Sequence, residues 1–284
     1  MLTRRQFLLG LAGGAALGGA PVGYSTRIEP HWLDVAETTI PLPPTVTPGP
    51  PLRVAHLSDL HACRWSPGPY LKSATEAAIG RKPDLVCLTG DYFTCHETWN
   101  DLDLIEALKP LAQAVPTFAT LGNHDGGPFT ATFAGEPNHD RIASVLFRAG
   151  VTWLHNRTVE LPVKGRTVRL TGMGDLWNNE CRPEIAFAFP APTPGTLGLA
   201  LSHNPDSKEF LKPYPWDLLL CGHTHGGQCG LPGIGQALAP VRDKRYLAGL
   251  YPYDGRHLHI TRGVGNLHGV RFLCRPEVSL LTLV

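Results

Sequence analysis

Five short polar motifs each close an apolar run in this chain, and their residue types are those that hold metal ions. They are Ser58-Asp59-Leu60-His61, Gly90-Asp91, Gly122-Asn123-His124-Asp125, Leu201-Ser202-His203-Asn204 and Cys221-Gly222-His223-Thr224-His225. Carboxylate, amide and imidazole ligands suit manganese, iron or zinc, and a shared carboxylate is a natural bridge between two cations. Two ions about 3.5–4 Å apart can activate a bridging water and stabilise the entering and leaving oxygens of an in-line displacement at phosphorus. A lone histidine at a sheet edge is ordinarily a hydrogen-bonded structural residue. Seven correctly typed positions (Asp59, His61, Asp91, Asn123, His203, His223 and His225) do not fit that description.

The elements that must position these residues can be read around them. Segments 53–58, 84–89 and 116–121 read as strands and 69–81 and 101–114 as the helices between them, with Leu104, Leu108 and Leu111 on one face. That is the βαβ pattern of a largely parallel sheet. Asp59, Asp91 and Asn123 lie 32 residues apart, about one such unit. They are therefore expected side by side at the carboxyl edge of one sheet, where open α/β folds bind ligands. With a side-chain period of two, Asp59 and His61 are expected on one face, and so are His223 and His225. His124 points away from Asn123 if its segment stays extended. The second half is richer in strands, at 158–162, 166–171, 197–202, 217–221, 257–262 and 278–283, with a helix at 206–212. The expected fold class is α/β, two packed mixed β-sheets flanked by helices in one domain over 52–284.

The 43% hydrophobic content supports a sizeable core, and a net charge of +1 gives no electrostatic case for nucleic acid. Seven cysteines form no C-x-x-C pair, which argues against a zinc ribbon or a thioredoxin-like site. Cys87 and Cys221, inside apolar runs, read as small buried hydrophobes. The remaining histidines, including His56, His139, His155, His259 and His268, read as structural. Arg64, Lys244, Arg245, Arg262 and Arg271 read as solvated surface charges before phosphate or sugar ligands, and Trp65, Trp177 and Trp216 as packing residues.

At the N-terminus Thr3-Arg4-Arg5-Gln6-Phe7-Leu8 precedes a weakly apolar, Gly/Ala-rich run from Leu9 to Ala20, which resembles a twin-arginine export signal. Residues 1–25 are expected to be that signal, with the twin-arginine export machinery as partner. The location is then periplasmic or otherwise extracytoplasmic, either free or tethered to the cytoplasmic membrane by an uncleaved signal. The run is too short and Gly-rich for a spanning helix. Residues 26–51 read as an N-terminal segment ending in a proline-rich connector at 41–51.

In order, D-x-H, G-D, G-N-H-D, an isolated His and G-H-x-H resemble the calcineurin-like metallophosphoesterase superfamily over residues 52–284. The strings S-H-N-P-D-S-K-E (202–209), C-G-H-T-H-G-G-Q (221–228), A-P-V-x-D-K-R-Y (239–246) and T-R-G-V-G (261–265) are similar to twin-arginine-exported bacterial phosphodiesterases of that superfamily. The resemblance implies an αββα sandwich and a metal-dependent phosphodiesterase whose nucleophile is a hydroxide bridging two divalent metal ions. One ion is implied on Asp59, His61 and His225 and the second on Asn123, His203 and His223, with Asp91 shared. His124 matches the family's non-ligand histidine, which contacts the phosphate and assists the leaving oxygen as a general acid. Manganese is the expected metal, with iron, zinc and magnesium as alternatives, and the expected substrate is a small-molecule or lipid-linked phosphodiester.

One departure stands out. Phosphoprotein phosphatases of the superfamily carry G-D-x-x-D-R, whose second carboxylate orients the catalytic histidine. Here Thr94 stands in its place, which argues against that activity and leaves Asp125 to orient His124. Two alternatives are carried. A lipid-linked pyrophosphate hydrolase resembling the UDP-2,3-diacylglucosamine hydrolases would be favoured by signal retention and an apolar cleft. A metal-free interaction scaffold is disfavoured, because such scaffolds lose ligands or the catalytic histidine and all eight positions are present here.

Overall fold

The computed structural model describes residues 20–94 and 99–284, so the Arg4-Arg5 pair and the run up to position 19 lie outside the described residues. Two six-stranded mixed sheets face each other. The first contains β1 (Asp34–Ile40), β2 (Leu52–Leu57), β3 (Leu85–Thr89), β4 (Thr117–Thr120), β5 (Thr152–Trp153) and β12 (Glu277–Leu283), in the order β1-β12-β2-β3-β4-β5. The second contains β6 (Arg157–Val163), β7 (Arg166–Gly172), β8 (Leu197–Leu201), β9 (Leu218–Cys221), β10 (Gly249–Tyr253) and β11 (Arg256–Ile260), in the order β10-β11-β9-β8-β7-β6. β2 to β5 run parallel, as do β7, β8, β9 and β11.

Period-two alternation explains the layers. Leu52 and Val54 of β2 and Leu85 and Cys87 of β3 enter the core between the sheets, against Val168, Leu170, Leu199, Leu201 and Leu220. The intervening Ala55, Leu57, Val86 and Leu88 face the helices instead. Strands buried on both faces have to be apolar throughout, which is why they are legible as short continuous runs. Helices Gly68–Gly80, Asp101–Ala114 and Asp140–Ala149 cover the outer face of the first sheet, with Leu104, Leu108 and Leu111 buried as a stripe. Asn100 caps the second of these, its side chain accepting from the Leu102 N–H at 3.0 Å.

The outer face of the second sheet is covered differently. Ala200, Leu219, Cys221, Leu258 and Ile260 pack against Trp216, Ala186 and Leu211, the last two from one-turn helices at Pro183–Ala186 and Lys208–Leu211. The helix expected over 206–212 is a 3₁₀ turn, Pro205–Ser207, followed by that single turn. Lys212 keeps helical backbone angles, and Pro213 ends the helix because it has no N–H to continue the hydrogen-bond ladder. β1 pairs in parallel with β12, so the sheet takes in residues ahead of Leu52, where the domain was expected to begin. Glu29 reinforces this, accepting the N–H groups of Leu273 and Cys274 at 2.7 and 2.5 Å. Among the described residues no helix is long and apolar enough to cross a membrane. Cys63, Cys87, Cys181, Cys221, Cys229 and Cys274 are free thiols, and Cys87 and Cys221 are fully buried.

Candidate metal centre

The loops leaving β2, β3, β4, β8 and β9 meet at one edge of the sandwich. β2 ends at Leu57, but its loop keeps pace with the next, Asp59 N–H donating to Gly90 O at 2.8 Å and His61 N–H to Asp91 O at 3.0 Å. Asp59, His61, Asp91, His223 and His225 all have positive φ, between 45° and 69°. Such backbone is uncommon outside glycine and gathers at functional sites. The expectation of a shared face by period two therefore fails, because these segments are not extended. Asp59 and His61 still converge, whereas His223 and His225 join different groups of side chains. Gly90 has no alternative residue, since a Cβ there would lie 2.4 Å from the Gly122 nitrogen.

Two donor groups result, Asp59 with His61 and His225, and Asp91 with His203 and His223. In the first, His61 Nε2 lies 3.0 Å from His225 Nε2, and His225 Nε2 lies 3.3 Å from Asp59 Oδ1. In the second, His203 Nε2 lies 3.1 Å from His223 Nδ1 and 3.1 Å from Asp91 Oδ2. Asp91 Oδ2 is also 3.6 Å from His61 Nε2, so it reaches both groups. Asn123 Oδ1 is buried without a hydrogen-bond partner. Imidazole nitrogens facing each other and an orphaned amide oxygen are a donor set that fits divalent cations.

The far sides of His61, His203 and His223 are anchored on carbonyls, while His225 Nδ1 faces Arg271 Nη2 at 3.3 Å. His61 Nδ1 contacts Phe93 O at 3.0 Å and Thr94 Oγ1 at 3.2 Å, His203 Nδ1 contacts Thr89 O at 2.7 Å, and His223 Nε2 contacts Pro240 O at 3.0 Å. Donating the outer N–H to a carbonyl fixes the tautomer with its lone pair turned inward. Thr94 thus supports His61. His124 lies outside both groups. Its backbone N–H donates to Asp91 Oδ1 at 2.9 Å and its ring stands edge-on to His61, centroids 5.1 Å apart. Asp125 was expected to orient His124, but its carboxylate accepts the N–H groups of Asp91, Tyr92, Phe93 and Gly122 at 2.7, 2.7, 3.3 and 2.8 Å. Those four donors fill its acceptor positions, so it organises the two loops instead.

The electrostatics match a site built for positive charge. Burial pulls His61 and His223 down to about 3 and lowers His225 as well, leaving three neutral rings. Burial also acts on His203, but Asp91 and then Asp59 and Asp175 lift it to about 10. Burial raises Asp59 to about 6. Asp91 is opposed by burial, yet His203, His124 and His61 hold it well below the usual carboxylate range.

Residues 52–227 match the family described as calcineurin-like phosphoesterase. The chain belongs to this family. Along its full length this calcineurin-like phosphoesterase is 41% identical to the phosphodiesterase YaeI of Escherichia coli, with 100% of both chains covered. It is 31% identical to the metallophosphoesterase YkuE of Bacillus subtilis, over 99% of this chain and 98% of the relative. It is 26% identical to the UDP-2,3-diacylglucosamine pyrophosphatase LpxG of Chlamydia muridarum, over 91% of each. As a calcineurin-like phosphoesterase the chain is a hydrolase of a family that binds divalent metals, and the scaffold alternative loses its ground.

A cleft of about 630 Å³ opens onto His61, Asp91, Asn123, His124, His223 and His225 of the phosphoesterase. Its other wall is apolar. Trp177 stands edge-on to His223 with centroids 4.6 Å apart, and Ile234, Leu238 and Val270 line it while 47, 64 and 42% exposed. Trp177 was expected to be a packing residue. Isolated apolar residues in loops carry no periodicity, so nothing in the sequence marked this wall. His268 lines it too, contrary to its structural reading. Arg271 is neither a surface charge nor a substrate ligand. It is fully buried and donates to Asn266 Oδ1 and to the carbonyls of Arg262, Gly265 and Cys274. It thereby shapes the loop in which Val264 and Gly265 N–H groups donate to Ser58 O and Asp59 O at 2.9 and 2.6 Å.

Proposed function

We propose that this chain is an extracytoplasmic phosphodiesterase that holds one divalent ion on Asp59, His61 and His225 and another on Asn123, His203 and His223, with Asp91 serving both. The observation that carries the reading is the position of Asp91 Oδ2, 3.6 Å from His61 Nε2 in one group and 3.1 Å from His203 Nε2 in the other. A pair of ions there supplies Lewis-acid stabilisation of charge developing at phosphorus and lowers the pKa of water. His124, tied to Asp91 through its backbone and half-exposed at the cleft wall, would meet a phosphoryl oxygen and pass a proton to the leaving oxygen. The mixed carboxylate, amide and imidazole donors suit manganese. The full-length likeness to a phosphodiesterase supports a diester substrate, and Arg4-Arg5 supports export by the twin-arginine route.

A second reading, hydrolysis of a lipid-linked pyrophosphate, is favoured by the exposed Ile234, Leu238 and Val270 beside the ligands and by the likeness to a UDP-2,3-diacylglucosamine pyrophosphatase. The test compares a chromogenic phosphodiester, the matching monoester and UDP-2,3-diacylglucosamine with protein reconstituted in manganese, iron, zinc or magnesium. Faster diester than monoester turnover supports the first reading. Turnover of the acylated nucleotide alone moves the assignment to the second, and inactivity with every metal sinks both. Retention in the cytoplasm of a chain with Arg4 and Arg5 replaced by lysine checks the export route.

A further inference from the structure

His139, His155 and Glu180 come together away from the donors described above. They arrive from three separate places, His139 at the start of the helix Asp140–Ala149, His155 between β5 and β6, and Glu180 in the loop after β7. One ligand atom from each lies within 4.8 Å of the others. His139 Nε2 is 3.0 and 2.9 Å from the two oxygens of Glu180, and the two imidazole centroids are 5.7 Å apart. The geometry points to a separate mononuclear site for a borderline transition-metal ion such as zinc, held by two imidazoles and a carboxylate with its remaining positions open to water.

A plain ion pair accounts for His139 and Glu180 but not for His155. The Nδ1 of His155 is buried with no hydrogen-bond partner, although the residue as a whole is only half-buried. Burial, opposed by Glu180 and helped by His139, lowers the pKa of His155, which favours the neutral ring. The scaffold is also built. Asn156, the next residue, donates to Glu180 O at 2.8 Å and accepts from Gly174 and Arg182 N–H at 3.0 Å each, which fixes the Glu180 backbone against His155. A Cβ at Gly174 would lie 2.4 Å from that same carbonyl. His139 Nδ1 faces Asp125 O at 3.5 Å, the outer-nitrogen contact that commonly orients a ligating histidine. Two imidazoles, a carboxylate and water form a known zinc coordination set.

An ion here ties the segment ending at His139 to the segment ending at Glu180. These carry Phe129 and Trp177, whose rings pack 5.0 Å apart, and Phe129 N–H donates to Asn178 Oδ1 at 2.9 Å. The site therefore stiffens one wall of the cleft.

The test strips the full chain with chelator and titrates it with Co²⁺, reading bound equivalents and the visible spectrum. His155→Ala and Glu180→Gln are expected to bind one equivalent fewer than wild type. The difference reads this site alone, whatever the Asp91 region binds. Equal stoichiometry in wild type and both variants overturns the proposal. Glu180→Gln keeps the carbonyl that Asn156 uses, so it is the variant to trust if His155→Ala misfolds. Anomalous scattering at the zinc edge from wild-type crystals needs no variant. A peak among the three side chains supports the site, and its absence at saturating zinc overturns it.

Discussion

The backbone N–H of Asp91 donates to Asp125 Oδ2 at 2.7 Å, so the carboxylate between the two donor groups is positioned by a second, buried carboxylate. Asp125 also takes N–H groups from Tyr92 and Gly122, tying the loop after β3 to the loop after β4. Asp125→Ala leaves these donors buried and unpaired, at roughly 1–3 kcal/mol each. Unfolding in urea should show a loss of several kcal/mol, and metal content should fall with it. A variant as stable and as metal-rich as wild type would remove Asp125 from this role.

Asp125 also sets a pH dependence in metal-free protein. Burial and then the charge of Asp91 outweigh the N–H donors of Gly122 and Tyr92, which favour the carboxylate, and raise its pKa from 3.8 to about 7. A carboxyl raised on folding stabilises the native state while protonated, and that contribution is lost as pH rises through about 7. Asp125→Asn cannot ionise, so its cost relative to wild type should be largest near pH 5 and shrink toward pH 8, by an amount on the order of a few kcal/mol. Urea unfolding of both chelated proteins at the two pH values measures it. A cost that grows with pH would mean the carboxylate form is the stabilising one.

His124 and the ligands separate by their failures. His124→Ala should keep the wild-type metal content and lose about 10²–10⁴-fold in kcat, the range of a general acid. Asp91→Asn and Asn123→Ala should lose turnover together with bound metal. Loss of metal from His124→Ala would make it a ligand.

The donors were legible because metal chemistry restricts residue type, and the strands that present them because burial on both faces leaves no room for polar residues. Assignment of His223 and His225 to different groups could not come from strand periodicity, since positive φ at both takes the chain out of the extended region. β1 was missed because its partner β12 lies at the opposite end of the chain and its residues are mostly half-exposed. The role of Asp125 depended on where four backbone N–H groups point, and Trp177 became part of the cleft only once its loop reached His223.

The apolar wall predicts a selective defect. Leu238→Asp places a charge beside the cleft on a residue already 64% exposed, so folding should be little affected. If an acyl chain lies there, KM for UDP-2,3-diacylglucosamine should rise at least tenfold while hydrolysis of a small chromogenic diester stays near wild type. Equal effects on both substrates would place Leu238 in general catalysis and leave the lipid reading without its structural support.

Gly222 offers the sharpest steric test of how the two sheets share the site. It lies between Cys221, the last residue of β9, and His223, and a Cβ there would stand 2.0 Å from Ser58 Oγ and 2.3 Å from Asp59 Oδ2. Both atoms belong to the loop after β2, in the other sheet. The His223 N–H contacts both oxygens of Asp59 at 3.1 Å, so the carboxylate cannot move aside without breaking that contact. Gly222→Ala should therefore displace Asp59 and weaken the group it shares with His61 and His225 more than the group at His203. Metal titration should show one affinity falling by an order of magnitude or more, with the β-sheet signal in circular dichroism unchanged. Wild-type affinity at both positions would mean the loops part easily and the close approach at Gly222 is not needed to form the site.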